Sequence, residues 1–401
     1  MLVGAPVVTA AGTRSAEHIR EWWMISLFQP QVGERELAAI ADVIASKWIG
    51  HGPRTTAFEA EFAEHLGVDP AGVVFLASGS ASLYLAIETL DLEPGDEVVL
   101  PSISFISAAN AIVSCGGRPV FCDVDPRTLN PNLEDIASVV TTRTKAVVVL
   151  HYGGYPGDIE RIAIYCRERG IELIEDSACS IASTVDGKAC GTFGDSAIWS
   201  LDAMKVLTCG DGGMIRLRDL DRAHRVRRLA YHGLAQLSGF GGALTSRRQW
   251  WKLDVVEPGR RVIGNDITAA IGSVQLQRLG EFIERRRQIV EIYDRELADI
   301  DGLRTPPSLP PGHGTSYYFY WVQLPDGIRD DVAADLFTAG IYTTFRYEPL
   351  HKVPLYSFEG TLPNTEALAS RTLCLPLHPG LDDADVQTVV SQLRKAVEAR
   401  T

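Results

Sequence analysis

Apolar positions along this chain follow two periods that take turns. Residues 34–46 (ERELAAIADVIAS) place Leu37, Ile40, Val43 and Ile44 at helical spacing, and residues 55–66 repeat the pattern with Phe58, Phe62 and Leu66. Short apolar runs then alternate with helix-period segments. The runs 73–76, 97–100, 119–123 and 146–150 are followed by predicted helices over 81–90, 103–113, 132–140 and 158–169, and a further run covers 171–175. Buried strands alternating with helices of about three turns predict an α/β fold with a mostly parallel sheet covered on both faces. Ligands of such sheets sit outside the carboxyl ends of the strands, so chemistry is sought in the residues just after each strand.

The pattern changes near residue 265. Residues 266–279 and 281–297 read as two long amphipathic helices. After a proline-rich break (Pro306, Pro307, Pro310, Pro311) come a strand over 317–324, a helix over 332–339, an irregular apolar segment and a last helix over 382–399. The expected organisation is an N-terminal extension over 1–24, a large domain over 25–278 and a small C-terminal α+β domain over 279–401.

The stretch from Ser196 to Met214, SAIWSLDAMKVLTCGDGGM, sits between two apolar runs of strand character. A single lysine, Lys205, lies between them, ahead of the glycine-rich turn Gly210-Asp211-Gly212-Gly213. A lysine amine kept among apolar groups has a lowered pKa and becomes a nucleophile toward carbonyls. Read by itself, Lys205 is equally a solvated lysine on a turn.

Composition narrows the classes. A chain of 401 residues, 46% hydrophobic and 22% charged, has the make-up of a globular protein long enough for two domains. Its net charge of -13 argues against general nucleic-acid or membrane-surface binding, so any anionic ligand needs a local cluster of donors. The seven cysteines are scattered and show no C-x-x-C spacing, which points away from a disulfide framework or a metal site and toward a reducing cytoplasm. No apolar run approaches a membrane span, and the first residues lack a basic stretch ahead of their apolar part.

Four predicted strand ends carry unusual residues. Ser78-Gly79-Ser80 follows the first strand and opens a helix, a phosphate cradle or an ordinary cap. Pro101-Ser102-Ile103-Ser104-Phe105 puts an aromatic ring at the same rim. Glu175-Asp176 ends a buried strand with acid, which is costly unless partnered. Ser200 ends the strand ahead of Lys205. A phosphate cradle, an aromatic shelf, an acid and a lysine on one sheet edge match the phosphate, ring face, pyridinium nitrogen and aldehyde of pyridoxal 5'-phosphate (PLP).

At this point the chain resembles the fold-type I PLP-dependent enzymes of the sugar aminotransferase (DegT/StrS-type) group. The segments that carry the resemblance include WIGHGPRTTAFEAEFAEHLGV (48–68), ASGSASLYLAI (77–87), IEDSACSIAS (174–183), SLDAMKVLTCGDGGM (200–214), NDITAAIGSVQLQRL (265–279) and RYEPLHKVPLY (346–356). The resemblance implies a PLP-dependent aminotransferase, with pyridoxamine phosphate (PMP) as the aminated cofactor. It moves an amino group from glutamate or glutamine to a nucleotide-linked keto sugar, a 4-keto-6-deoxyhexose in the expected reading. A keto cyclitol acceptor and a non-catalytic regulatory relative are the alternatives. It also implies a cytoplasmic homodimer with shared active sites. By the same resemblance Lys205 matches the lysine that carries the cofactor, Asp176 the acid facing the ring nitrogen and Phe105 the aromatic that stacks on the ring. Gly79, Ser80 and Ser200 match the phosphate ligands. Three positions depart from the family. Cys179 stands where glutamine or histidine is usual near the cofactor's phenolic oxygen, and Asp202 where histidine or tyrosine is frequent. Arg261 stands where an asparagine reaches the phosphate of the neighbouring subunit, with Arg260 and Asn265 as fallback candidates for that contact.

Overall fold

The short apolar runs hydrogen-bond to one another. In the computed structural model, which describes residues 24–235 and 251–401, the strands are β1 (Val73–Leu76), β2 (Glu97–Pro101), β3 (Arg118–Cys122), β4 (Thr144–Leu150), β5 (Glu172–Asp176), a small hairpin of β6 (Thr184–Val185) and β7 (Lys188–Ala189), β8 (Ser196–Ser200) and β9 (Gly213–Leu217). Seven of them form one sheet in the order β1-β9-β8-β5-β4-β2-β3. Neighbours from β8 to β3 are parallel, while β9 runs antiparallel to both β8 and β1. Two reversals cancel, so β1 again points the same way as β8. The carboxyl ends of β1, β8, β5, β4 and β2 therefore share one edge.

Side chains alternate across this sheet. Phe75, Trp199 and Met214 pack on one face with Phe58 and Phe62 of the helix Pro53–Leu66. Val74, Leu76, Ile198 and Ile215 pack on the other with Leu83 and Ala108. Trp199 meets Phe62 edge-on with ring centroids 5.2 Å apart, which anchors the strand that presents Ser200 and leads to Lys205.

The C-terminal part builds a separate core. Helices Leu279–Leu297, Arg329–Thr338 and Asp383–Glu398 bury Ile289, Tyr293, Leu336, Val389 and Leu393 against the antiparallel pair β11 (Tyr320–Gln323) and β12 (Thr372–Leu375). β10 (His313–Gly314) joins the hairpin instead. Trp321 ties this part to the sheet, with its ring 5.5 Å from Tyr152 and 5.0 Å from Tyr155. Gly153 permits that approach: its φ is +65°, and a Cβ there would stand 2.5 Å from the Trp321 ring. Of the expected extension over residues 1–24, all but Met24 lies outside the described residues. Ile25 bridges Ile341, so the start of the described chain rests on the C-terminal part.

Three expectations need correction. The helix over 34–46 forms, but Leu37 and Ile44 point outward. Glu36 is buried in their stead, 2.7 Å from Arg278 and bonded by Gln275. Apolar spacing alone did not reveal that this ion pair would claim the inner face. The strand expected over 317–324 is only 320–323, because the Tyr318 amide donates to the Gly153 carbonyl (3.0 Å) and draws this chain toward the sheet edge. The segment read as irregular holds the helix Pro363–Arg371 and β12.

Candidate active site

The shared edge opens into a cleft. Gly79, Ser80, Phe105, Asp176, Ser200 and Lys205 line it together, as do Asp202 and Asp211. Chain geometry explains why. Ser78 caps the helix Gly79–Glu88, its hydroxyl accepting from the Ala81 amide at 3.1 Å. The amides of Gly79 and Ser80 begin that helix, have no carbonyl within it, and face an anion-binding position. Gly79 is required by contact: a Cβ would stand 2.7 Å from that of Ser200. At Gly213 a Cβ would stand 2.2 Å from the Ser78 carbonyl oxygen, so the lysine loop ends directly against the cradle.

The loop itself is tied at both ends. Leu201 donates to the Gly212 carbonyl at 2.9 Å, Cys209 to that of Leu201 at 3.0 Å, and the Lys205 amide to that of Asp202 at 2.9 Å. Leu207 is buried beneath. Lys205 Nζ lies 4.6 Å from the centroid of the Tyr318 ring. Its surroundings are not apolar, so the condition for a lowered pKa is not met. Burial opposes the charge, but Tyr318, Cys179 and Asp176 together favour the ammonium and hold it above the ordinary lysine range.

Asp176 is buried, and its Oδ1 accepts from the Ala178 amide at 3.1 Å. Burial pushes its pKa up, against that hydrogen bond and the nearby charges of Lys205 and His151. Its neighbour Glu175 points to the other face and is satisfied there by His151 (3.0 Å) and the amides of Gly191 and Gly194 (2.7 and 2.6 Å). Of the two acids that end this strand, one is structural and one faces the cleft. Phe105 remains 41% exposed, its ring offered to the cleft 5.7 Å from that of Tyr347.

These features fit PLP. The edge supplies a cradle closed to any added Cβ, an open aromatic face, a buried carboxyl that no cation among the described residues pairs with, and a lysine whose amine reaches the same space. Two expected residues stand apart. Cys179 is buried beside Lys205, Asp176 and Tyr347 but does not line the cleft, and burial pushes its thiol up to about 12. Arg261 lies outside its own chain's cleft, its guanidinium 5.2 Å from the Tyr231 ring centroid. Of the fallbacks, Arg260 pairs with Glu88 at 3.1 Å, and the Asn265 side-chain oxygen caps the helix that follows.

Sequence reasoning missed Tyr318, Arg346 and Tyr347, all of which line the cleft. They come from the C-terminal part, and only their place in the quoted RYEPLHKVPLY segment and the aromatic run before β11 hinted at them. Arg286 supports them: buried, it donates to the carbonyls of Tyr317 (3.1 Å) and Leu377 (2.9 Å).

Sheet order, flanking helices and the lysine-bearing edge define a fold-type I PLP-dependent transferase. Residues 30–394 match the model of the DegT/DnrJ/EryC1/StrS aminotransferase family, and the chain belongs to that family. It is 62% identical over 375 residues, 94% of this chain and 97% of the relative, to a dTDP-4-dehydro-2,3,6-trideoxy-D-glucose 4-aminotransferase of Saccharopolyspora spinosa. Among solved structures it resembles the aminotransferase TlmJ from Streptoalloteichus hindustanus, with TM-score 0.89, 56% identity and coverage of 94% of this chain and 99% of the other. The fold also matches the putative sugar aminotransferase Spr1654 from Streptococcus pneumoniae in its PLP form, with TM-score 0.85, 24% identity and coverage of 94% and 99%. The expected cofactor, PLP, follows from the family.

Proposed function

We propose that this protein transfers an amino group from an amino acid, glutamate or glutamine, to the keto group of a nucleotide-linked deoxysugar, a 4-keto-6-deoxyhexose, in amino-sugar biosynthesis. The observation that carries the reading is that Lys205 and Asp176 face one cleft beside an anion cradle and an open aromatic face. The likeness to the dTDP-sugar 4-aminotransferase supplies the substrate class. When bound, PLP supplies an aldehyde that exchanges amines and a ring that accepts the electrons of the donor's Cα–H bond. Gly79, Ser80 and Ser200 hold its phosphate, and Phe105 covers a ring face. The Asp176 carboxylate keeps a proton on the ring nitrogen. Lys205 would hold the cofactor's aldehyde through its amine. The freed Nζ would move the proton from the donor's Cα, as base, to the cofactor's aldehyde carbon, as acid, and would do the reverse on the sugar. A panel of nucleotide-linked 4-keto sugars and free keto cyclitols, offered with glutamate or glutamine, tests the assignment. Product amine is expected from the nucleotide-linked sugars, and amine from cyclitols alone would reassign the acceptor.

We place the domain boundary between residues 278 and 279, on the strength of the separate core built by the later helices. We also propose a homodimer in the cytoplasm. Leu37, Ile44, Ile49, Leu253 and Val255 are exposed apolar side chains of the described chain, and all seven cysteines are free. Among the described residues no helix is long and apolar enough to cross a membrane. In the dimer Arg261 supplies a charge-assisted contact to the partner site's phosphate. Its position outside its own cleft, with no carboxylate within ion-pair reach among the described residues, supports this. Mixing inactive Lys205→Ala chains with inactive Arg261→Ala chains is expected to restore part of the activity, since one site of each mixed dimer then carries neither lesion. No recovery after confirmed subunit exchange would put Arg261 outside the partner's site.

Cys179 is proposed as a neighbour of the cofactor, behind Lys205. Its thiol, held neutral by burial, is expected to label slowly in the cofactor-free protein and more slowly still once PLP is bound. Equal labelling rates in the two states would remove it from the site.

A further inference from the structure

Tyr318 carries a buried hydroxyl without a fixed partner. The residue is 1% exposed, and among the described residues its oxygen makes no hydrogen bond of ordinary geometry. Other buried tyrosines of the chain do bond, as Tyr293 to the Pro376 carbonyl and Tyr320 to Asp294, both at 2.8 Å. A buried hydroxyl left unpaired costs stability, so this one needs an explanation. The ring is fixed where it stands. Phe28 lies nearly parallel to it, with centroids 5.3 Å apart, and Arg286 donates to the preceding carbonyl, that of Tyr317, at 3.1 Å. Phe28 is itself held from both sides, since the Leu377 amide donates to the Leu27 carbonyl (3.2 Å) and the Tyr342 amide to that of Ile25 (3.0 Å).

In the cleft the ring meets Lys205, whose Nζ is 4.6 Å from its centroid. Among the described residues no carboxylate lies within ion-pair distance of that amine, whereas Lys145 has Asp96 and Lys352 has Glu366. The titratable groups that face the pair are Asp176 from β5, Cys179 from the turn after it, Asp202 and Asp211 from the lysine's own loop, and Arg346 and Tyr347 from the C-terminal part. The acids have donors of their own. Asp176 accepts from the Ala178 amide (3.1 Å), Asp202 from that of Met204 (2.9 Å) and Asp211 from that of Gly212. Burial keeps the Cys179 thiol neutral, and Arg346 repels an ammonium. The Tyr318 oxygen is the acceptor left open toward the amine.

Resting on the aminotransferase reading, we propose that Tyr318 is a positioning residue for Lys205, its hydroxyl oxygen accepting a hydrogen bond from Nζ whenever the amine is not joined to the cofactor. A phenol oxygen serves both states of the lysine, since it accepts N–H from ammonium and amine alike. The bond to the charged form is roughly twice as strong. It therefore tightens as Nζ takes the proton from the donor's Cα, which is where positive charge develops, and the locked ring needs no rearrangement to meet it. The same preference makes the amine harder to deprotonate in the empty site. Tyr318 keeps its own proton throughout, because burial raises its pKa against the charges of Lys205 and Arg346.

Tyr318→Phe removes the one atom at issue and tests this directly. That hydroxyl is unpaired in the fold, so the melting temperature should be unchanged or slightly higher. In the cofactor-free full chain, Lys205 is labelled with acetic anhydride from pH 7 to 11 and the label counted by mass, with the exposed Lys47 as reference. The rise of Lys205 labelling with pH should move down by about one unit in the variant, the scale of one hydrogen bond to a charged group. A change in packing alone would alter the rate at every pH alike and leave that profile in place. In the PLP-loaded enzyme the absorbance change driven by saturating glutamate should slow by about 10-fold, with half-saturation kept within about threefold. An unmoved labelling profile overturns the proposal, as does a loss confined to half-saturation, which would give the hydroxyl to substrate binding instead. The labelling needs neither cofactor nor substrate, so a wild-type holoenzyme whose colour no amino acid changes would overturn the aminotransferase reading separately.

Discussion

Lys205→Ala is expected to lose amino transfer by at least about 10^4-fold, the upper end of what one positioned proton-transfer group contributes, since this lysine also carries the cofactor. The fold should survive. The loop that bears Lys205 is tied through backbone bonds between Leu201, Cys209 and Gly212 and through the buried Leu207, none of which involves the amine. Lys205→Arg would keep a charge but no removable proton, so it should be equally inactive. Circular dichroism and activity on the same sample check the result, and wild-type-like turnover in Lys205→Ala would sink the assignment of the cleft.

Asp176→Asn is expected to separate function from stability. Activity should fall by more than about 100-fold, because a neutral amide cannot hold a proton on the ring nitrogen. The cofactor-free protein should be as stable as wild type at neutral pH, or more so. Burial raises the native carboxyl's pKa above its unfolded value, so the native state holds this proton more tightly, and stability declines as pH rises through the interval between the two. Asparagine removes that cost and keeps an oxygen for the Ala178 amide, which Asp176 now bonds at 3.1 Å. Melting of the cofactor-free variant at neutral pH, with turnover measured alongside, decides. A turnover loss below about threefold would make Asp176 a structural cap, and a large drop in melting temperature would place its role in folding.

Both residues were legible in the sequence because strand periodicity fixes where a strand ends, and parallel topology puts the ends together. Asp176 and Ser200 end buried strands, Ser78-Gly79-Ser80, Phe105 and Lys205 follow them, and the cleft gathers them all. What local pattern could not give was direction and partnership. β9 is as apolar as its neighbours, and only pairing shows that it runs antiparallel. Leu37 and Ile44 have helical spacing, yet Glu36 takes the inner face through Arg278, far away in sequence. Tyr318 and Arg346 reach the cleft because Gly153 lets Trp321 lie against the chain after β4, a long-range contact that no window of sequence contains. The lysine's surroundings were not legible for the same reason, since Tyr318 and Cys179 come to it from elsewhere in the chain.

The most direct measurement is to load the protein with PLP, reduce it with borohydride, digest it and identify the modified peptide by mass. The expected result is a yellow protein whose colour changes on adding glutamate, and a reduced adduct on the peptide that contains Lys205. An adduct on another lysine, or a protein that PLP neither colours nor modifies, would contradict it.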